Sequence, residues 1–134
     1  MVAEFVIPGS PQGKARPRVT SHGTYTPKKT KDYERKVCFE YQRQSSAWFG
    51  ESALAVHIAA YLPIPQSKPK TIRAKMLSGE IRPTIKADAD NLAKSVLDAL
   101  NGVAYKDDSQ VVSLFVEKWY NPEPAVIVKI QEAV

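Results

Sequence analysis

The chain has very few residues that bind soft metals. Cys38 is the only cysteine in 134 residues, and His22 and His57 are the only histidines. A single cysteine excludes an internal disulfide and a zinc site built from thiolates. Two histidines far apart in the sequence do not suggest a histidine metal site. Carboxylates are therefore the residues to examine for metal chemistry.

Long apolar runs are also missing. No run reaches the ~18 residues of a transmembrane helix, and the N-terminus lacks the charged and then apolar pattern of a signal peptide. The chain is 43% hydrophobic and shows no internal repeat, low-complexity tract or domain boundary. We therefore expect residues 1–134 to form one globular domain that has no membrane partner and is cytoplasmic.

The charge is unevenly distributed along the chain. The formal net charge is +5, but residues 1–86 hold 15 Lys or Arg against 6 Asp or Glu, whereas residues 87–134 hold 4 against 8. A basic front half with an acidic pocket behind it indicates a polyanion held over a metal site. An ordinary solvated basic surface is the alternative.

Hydrophobic periodicity predicts four strands and two main helices. The expected strands are Ala3–Ile7, Ala53–Leu62, Val111–Tyr120 and Ala125–Ile130, and the expected helices run from Thr30 to about Gln44 and from Asn91 to a stop at Gly102. The turn between the last two strands favours a hairpin. The fold class is therefore α/β (α+β), a single small domain with a mixed sheet in the order β-α-β-α-β-β.

A basic arm follows the first strand. Its prolines, glycines and absent periodicity predict a loop. Lys14, Arg16 and Arg18 alternate along it, so an extended backbone presents all three on one side, and Lys28 and Lys29 follow. Guanidinium groups can pair with two phosphate oxygens at once, so we interpret the segment as a phosphate-binding arm. A flexible exposed loop is the alternative.

A second basic segment, residues 66–85, precedes the acidic part of the chain. It is polar and is broken by Ser78-Gly79 and Pro83. A short helix around Thr71–Leu77 is one interpretation. The other is a mobile flap that only a ligand orders.

Carboxylates cluster in one part of the chain only. Asp88 and Asp90 are two residues apart, so on an extended segment both side chains point to the same side. The residues that follow have helical apolar spacing, and Asp90 or Asn91 can cap that helix, as Thr30 can cap the first. The same spacing places Asp90, Lys94 and Asp98 above one another on a polar face.

The chain can return to this cluster. A helix of ~11 residues carries it ~16 Å away, and residues 102–108, if extended, cover ~23 Å. Asp107 or Asp108 can therefore reach the start of the helix, where three or four carboxylates would meet. Such a cluster repels itself unless a divalent cation compensates it, and magnesium prefers oxygen ligands of this kind. Lys94 can contact a phosphate or offset charge in a transition state.

Each part of this pattern also has a purely structural interpretation. Asp90 at a helix start is a common cap, and Asp107-Asp108 can form a polar turn before a strand. The arrangement as a whole is more specific than any one of its parts.

Four motifs together point to a known family. They are Lys86-x-Asp88-x-Asp90-Asn91-Leu92-x-Lys94, Asp98-Ala-Leu, Asp107-Asp108-x-Gln110-Val111 and the amino-terminal Pro-x-Gly-Lys14-x-Arg16-Pro-Arg18. With their spacing they resemble the RusA family of Holliday junction resolvases, small endonucleases that cut four-way DNA junctions. The resemblance covers nearly the whole chain.

The resemblance implies a homodimer of mixed α/β subunits that nicks opposed strands of branched DNA with Mg²⁺, for which Mn²⁺ can substitute. Position by position, Asp88, Asp90 and Asp108 match the family's metal-binding catalytic aspartates, and Lys94 matches its functional lysine. Asp107 and Asp98 match acidic positions, and Asp107 is a further candidate metal ligand. The five basic residues of the arm would contact DNA.

Three functional hypotheses follow. The first is a magnesium-dependent endonuclease that resolves four-way junctions by paired nicks, leaving 5′-phosphate and 3′-hydroxyl ends. The second is a DNA-binding protein without catalysis, whose acidic residues only cap a helix. The third is a metal-dependent nuclease for flaps, other branched DNA or ordinary duplex.

Overall fold

The computed structural model describes the backbone of residues 1–134 and all side chains except that of Arg18. The helices and strands, in chain order, are β1 (Val2–Pro8), β2 (Arg18–Thr20), β3 (Gly23–Tyr25), α1 (Lys28–Gln44), β4 (Leu54–Pro63), α2 (Lys70–Ser78), α3 (Ala89–Ala99), β5 (Val111–Asn121) and β6 (Ala125–Glu132). A 3₁₀ turn at Asp108–Gln110 precedes β5. None of the described helices is long and apolar enough to cross a membrane.

A four-stranded mixed sheet organises the fold. Its strand order is β1-β6-β4-β5. β4 and β5 are parallel, whereas β6 runs antiparallel to both β1 and β4. β2 and β3 form a separate two-stranded hairpin within the basic arm. The mixed α+β fold class and the main order β-α-β-α-β-β are confirmed, with α2 and the β2–β3 hairpin in addition.

Helices α1 and α3 pack together, and α1 also packs on β1. The side chains of β1 alternate, so Phe5 and Ile7 are buried between exposed neighbours. The helical spacing of α1 turns Val37 and Tyr41 toward them, and the rings of Phe5 and Tyr41 meet edge to face with centroids 5.1 Å apart. Burying one such side chain contributes about 1.5–3 kcal/mol. This apolar contact fixes α1 on the sheet and so positions α3 beside it.

The predicted hairpin of the last two strands is wrong. β5 and β6 do not pair, because β4 lies between them. After β4 the chain crosses over through α2 and α3, and β5 then joins β4 in parallel at the edge of the sheet. β6 returns to the interior of the sheet, where Val126, Val128 and Ile130 are buried. The apolar patterns identify both strands, but only the crossover determines their neighbours.

The first helix begins earlier than its predicted cap. α1 starts at Lys28, directly after Pro27, and no side-chain cap hydrogen bond forms there. Thr30 lies inside the helix and is buried. Its hydroxyl accepts a hydrogen bond from the Ala15 N–H at 3.3 Å, so it ties the basic arm to α1.

Residues 66–85 are an anchored segment, which favours the helix over the flap. The predicted short helix is present as α2. Beyond it, the guanidinium carbon of Arg82 lies 3.4 Å from the centroid of the Trp119 ring, a cation–π contact. Arg82 also donates to the Lys118 carbonyl, and the Lys118 ammonium donates to the Ile85 carbonyl, both at 2.7 Å. These contacts with β5 fix the chain that leads into α3.

Candidate active site

The polar face of α3 carries a row of charged side chains. Asp90, Lys94 and Asp98 follow one another at i, i+4 and i+8, which confirms the predicted spacing. Asp90 and Lys94 are exposed, whereas the Asp98 side chain is only 23% exposed. At 1.5 Å per residue the row is ~12 Å long. Its two ends therefore lie in different surroundings.

The N-terminal end of the row has uncommitted polar groups. Asp88 occupies the N-cap position of α3 and Asp90 lies in its first turn, so the expected pair on one extended segment does not form, and the predicted cap at Asp90 or Asn91 is wrong. Among the described residues, the side chains of Asp88, Asp90 and Lys94 make no hydrogen bond or ion pair. The positive end of the helix dipole favours carboxylates here. All three side chains are available to a ligand.

After α3 the chain turns back at once. Gly102, the predicted helix stop, lies in this turn with φ +75°, and its N–H donates to the Tyr105 carbonyl at 2.8 Å. Tyr105 is buried, and its hydroxyl donates to the Leu97 carbonyl at 2.7 Å. The predicted extended run is therefore wrong, because a buried tyrosine holds the turn against α3. Asp108 returns beside Asp98, near the end of the helix.

Asp98 and Asp108 form a pair of neighbouring carboxyl groups. Burial raises the pKa of Asp108 above its ordinary value, and the negative charges of Asp98 and Asp107 raise it further. The backbone N–H of Asp108 donates to the side-chain oxygen of Asn101 at 2.8 Å, which holds the residue in place. Carboxylates held together in this way favour either a bound proton or a bound cation.

Asp107 has a structural role of its own. Its carboxylate accepts a hydrogen bond from the Ser109 N–H at 3.1 Å, while the Gln110 side chain accepts one from the Asp107 N–H at 2.8 Å. This reciprocal capping box starts the 3₁₀ turn. The bonds from Ser109 lower the pKa of Asp107. Asp107 and Asp108 thus form the polar turn that was the structural alternative for these two residues. The turn places Asp108 at the Asp98 end of the row.

Lys14 lies inside the acidic end of the row. Its Nζ is 3.2 Å from Oδ2 of Asp98 and 3.3 Å from both carboxylate oxygens of Glu34. The side chain is only 18% exposed. Burial alone would lower the pKa of Lys14, but the bonds from Asp98 and Glu34 outweigh it, and the pKa lies above its ordinary value. Lys14 is therefore a charged, ion-paired lysine, although the sequence predicted that it grips phosphate.

The first half of the basic arm is packed against α3. The Lys14 N–H donates to the Asn91 carbonyl at 3.0 Å, and the Ser95 hydroxyl donates to the Gln12 carbonyl at 2.7 Å. A Cβ on Gly13 would lie 3.0 Å from a side-chain carbon in the segment that leads into α3. A side chain at this position would have to push its neighbours aside by a few tenths of an ångström. The flexible-loop alternative is wrong for this part of the arm.

The other basic residues of the arm lie on or near α1. Arg16 is exposed, and the side chain of Arg18 lies outside the described part of the chain. Lys28 and Lys29 open α1 and, with Lys36, line a groove of about 570 Å³. Several cations along one groove attract a polyanion.

A second groove reaches Asp98. It has a volume of about 580 Å³ and is bordered by Lys31, Arg35, Glu34 and Phe39 as well as by Asp98. Sequence reasoning did not select Lys31, Arg35 or Glu34 as site residues. The spacing of Lys31 and Arg35, one turn apart on α1, was a usable signal. Nothing in the sequence showed that α1 lies beside the acidic end of α3.

The carboxylates suit a hard divalent cation. Asp98 and Asp108 offer the oxygen donors that Mg²⁺ prefers, and Mg²⁺ usually takes one or two carboxylates together with waters and substrate phosphates. In the part of the chain that the structure describes, no set of three or more His, Cys, Asp or Glu side chains is placed to hold a metal ion. The expected meeting of three or four carboxylates at one point is therefore not seen. The carboxylate oxygens therefore fit a Mg²⁺ ion whose remaining ligands would be waters and substrate phosphate.

The fold and the row of Asp90, Lys94 and Asp98 define a class of protein. Its members are small mixed-sheet domains with carboxylates beside basic grooves. Residues 8–131 match the family described as Endodeoxyribonuclease RusA. The chain belongs to this RusA family, as its motifs indicate. It is also similar to the Uncharacterized protein YqaN of Bacillus subtilis (strain 168), with 36% identity over 135 residues that span 96% of this chain and 95% of that protein.

Proposed function

We propose that this protein is a Mg²⁺-dependent endodeoxyribonuclease that resolves four-way DNA junctions. It makes paired nicks that leave 5′-phosphate and 3′-hydroxyl ends. Membership of the RusA endodeoxyribonuclease family supports the reaction class. The observation that carries the proposal is the carboxylate pair Asp98–Asp108, of which Asp98 borders the groove that Lys31 and Arg35 also line. A carboxyl group whose pKa is raised by burial and by neighbouring charge, as that of Asp108 is, is typical of a functional site.

In this proposal Asp88, Asp90 and Asp108, the positions that match the family's motifs, are the catalytic carboxylates and would hold Mg²⁺, with Mn²⁺ as a substitute, although the described residues do not bring the three together at one point. Asp88 and Asp90 are exposed at the positive end of α3, and their side chains make no hydrogen bond to any side chain that the structure describes. Asp108 is fixed by its backbone bond and lies next to Asp98. Asp107 is a further ligand, because its hydrogen bond to the backbone uses only one carboxylate oxygen. A bound Mg²⁺ would supply Lewis-acid activation of a water nucleophile and charge stabilisation for the departing 3′ oxygen.

Lys94 is the phosphate-contacting residue of the row. It is exposed and lies one helical turn from Asp90 on one side and from Asp98 on the other. Its ammonium has no partner among the described side chains, so it can approach a phosphate that lies along α3. A cation at this position offsets the negative charge that develops on the phosphate oxygens during attack.

The basic grooves hold the DNA backbone. Arg16, Arg18, Lys28 and Lys29 are the arm residues that we assign to phosphate contacts, and the groove formed by Lys28, Lys29 and Lys36 supports this assignment. Phosphate contacts fix the position of a duplex but do not read its sequence. The preference for a junction therefore comes from the geometry of the bound arms.

A second copy of the chain is part of the proposal, because a four-way junction presents symmetry-related strands and a two-fold dimer presents symmetry-related sites. The outer edge of β5 is the surface that we assign to this dimer. β4 is the only described strand that pairs with β5, and Leu114 and Phe115 on β5 are 47% and 60% exposed. Edge strands that stay unpaired usually carry charge or proline. The first six residues of β5, 111–116, contain neither, and the charged Glu117 and Lys118 lie beyond them, so antiparallel pairing of two β5 strands along residues 111–116 would cover this uncharged part of the edge.

Phe115→Lys tests the dimer surface. A lysine on the β5 edge should convert a dimer into a monomer, measured by sedimentation, and should turn paired junction nicks into single nicks. Val2→Lys on β1, the opposite edge of the sheet, is the matched control and should leave the mass unchanged. A dimer that survives Phe115→Lys would remove the β5 edge from the proposal.

The activity is tested by cleavage of a labelled four-way junction and a matching linear duplex, in Mg²⁺ or EDTA. We expect paired nicks in the junction only, lost in EDTA and in Asp90→Asn. Glu123→Gln, an exposed carboxylate outside the row, is the matched control. Cleavage by Asp90→Asn at the wild-type rate would reject the site. Binding without nicks in any metal supports the non-catalytic hypothesis, and cleavage of flaps alone supports the third.

A further inference from the structure

The ion-paired position of Lys14 points to a role different from DNA binding. Its ammonium contacts Glu34 and Asp98, and Asp98 in turn neighbours Asp108. We propose that Lys14 is a positioning residue, which holds Asp98 beside Asp108 and offsets the charge of the acidic end of the row. The catalytic consequence of this role rests on the function proposed above, whereas the positioning does not.

The backbone around Lys14 directs its side chain inward. The Lys14 N–H donates to the Asn91 carbonyl at 3.0 Å, and the next N–H, that of Ala15, donates to the Thr30 hydroxyl at 3.3 Å. The residue is therefore clamped between α3 on one side and α1 on the other. A DNA phosphate would have to displace Glu34 or Asp98 to reach the ammonium.

The position of Asp98 in α3 explains why a cation is needed there. Asp98 lies in the last turn, where the helix dipole is negative and disfavours a carboxylate. Cations usually occupy this turn, but α3 has no basic residue in it. Lys14 supplies that charge from the arm, at 3.2 Å. Without Lys14, the partly buried carboxylates of Asp98 and Asp108 would lie side by side with no cation to pair with. Such an arrangement destabilises the folded protein.

The first experiment separates positioning from phosphate contact by junction binding in EDTA, as a function of salt. Each phosphate contact contributes about 0.9 to the slope of log K against log salt. Lys14→Met should leave this slope unchanged, while Lys28→Met provides the reference for a lost contact. A fall of about 0.9 in Lys14→Met would show a phosphate contact and overturn the proposal.

The second experiment asks whether Lys14 acts through Asp98. In Mg²⁺, Lys14→Met should lower kcat about 10–100-fold, the scale of a group that orients a ligand, with KM for the junction unchanged. Lys14→Arg should recover most of the loss. The Lys14→Met, Asp98→Asn double variant should be no slower than Asp98→Asn alone, because the two residues work as one unit. Losses that multiply would overturn the proposal.

Lys106→Met is the matched control, because Lys106 pairs with Glu51 at 2.6 Å on the surface. It should change neither the salt slope nor kcat. If Lys14→Met does not fold, the Lys14→Met, Glu34→Gln variant removes one charge of each sign and is expected to show the same unchanged slope and lowered kcat.

The two proposals fail in distinguishable ways. If the wild type cuts no DNA, the nuclease proposal fails, and the positioning is still tested by thermal unfolding of the Lys14→Met and Asp98→Asn cycle. Non-additive shifts in Tm support the contact. Additive shifts would overturn it.

Discussion

The two ends of α3 differ more than their sequence suggests. At the N-terminal end Asp88, Asp90 and Lys94 have no described side-chain partners, while at the C-terminal end Asp98 is enclosed by Lys14 and Asp108. Both ends belong to one polar helix face with one spacing. The difference comes from what packs on them, since the arm and the turn after α3 reach only the C-terminal end. The environment of a charged side chain on a helix therefore depends on what packs against it as well as on its position in the helical repeat.

The carboxylates at the two ends of α3 should contribute differently to folding and to chemistry. Exposed carboxylates without partners add little to folding, so their removal should affect chemistry alone. Half-buried carboxylates that contact a lysine or each other affect folding and chemistry together. Substitutions at the two ends should therefore have different signatures in stability and in activity.

The largest expected effect is the difference between Asp90→Asn and Asp98→Asn in cleavage rate and in stability. Asp90→Asn should slow junction cleavage by more than ~100-fold, beyond the usual effect of a group that only orients a ligand, and should leave Tm unchanged. Asp98→Asn should slow cleavage by about 10–100-fold and also lower the unfolding free energy by about 1 kcal/mol, because Lys14 keeps only Glu34. Single-turnover rates and calorimetry measure both. A loss of stability in Asp90→Asn would contradict the distinction between the ends.

A smaller effect is expected where the arm meets α3. A Cβ at Gly13 would lie 3.0 Å from Cβ of Ala87 and 3.2 Å from Cβ of Asn91. Gly13→Val should therefore cost about 1–3 kcal/mol in urea unfolding, the scale of an overpacked contact. Ser10→Val, at an exposed position of the same arm, is the control and should cost much less. Equal losses would show that the arm does not pack as tightly as the contacts indicate.

The smallest expected effect is a gain in stability. Because the pKa of Asp108 is raised in the folded state, the native protein binds that proton more tightly than the unfolded chain does, and ionised Asp108 opposes folding at neutral pH. Asp108→Asn should therefore stabilise the protein by roughly 0.2–1 kcal/mol at pH 7, the scale of a partly exposed charge pair. The gain should disappear as pH falls through the raised pKa and the wild-type carboxyl protonates. Unfolding at pH 7 and pH 4 measures it, and a gain that grows in acid would contradict the raised pKa.

The sequence was a good guide wherever a local rule decides the outcome. The four main strands, α1 and α3 follow from apolar periodicity, because burial on one face needs only the right spacing. The row Asp90, Lys94 and Asp98 follows from the helical repeat for the same reason. The motifs at residues 86–94 and 107–111 identified the family that the comparison confirms.

The tertiary structure alone decided which of these elements and side chains meet. β4 rather than β5 neighbours β6, because the crossover through α2 and α3 takes β5 to the edge. Asp108 approaches Asp98 instead of Asp90, because the buried Tyr105 turns the chain back early. Lys14 pairs with Asp98 across 84 positions of sequence, and no local pattern encodes a contact of that range. Such contacts depend on the packing of α1 and α3, which spacing along a single helix does not specify.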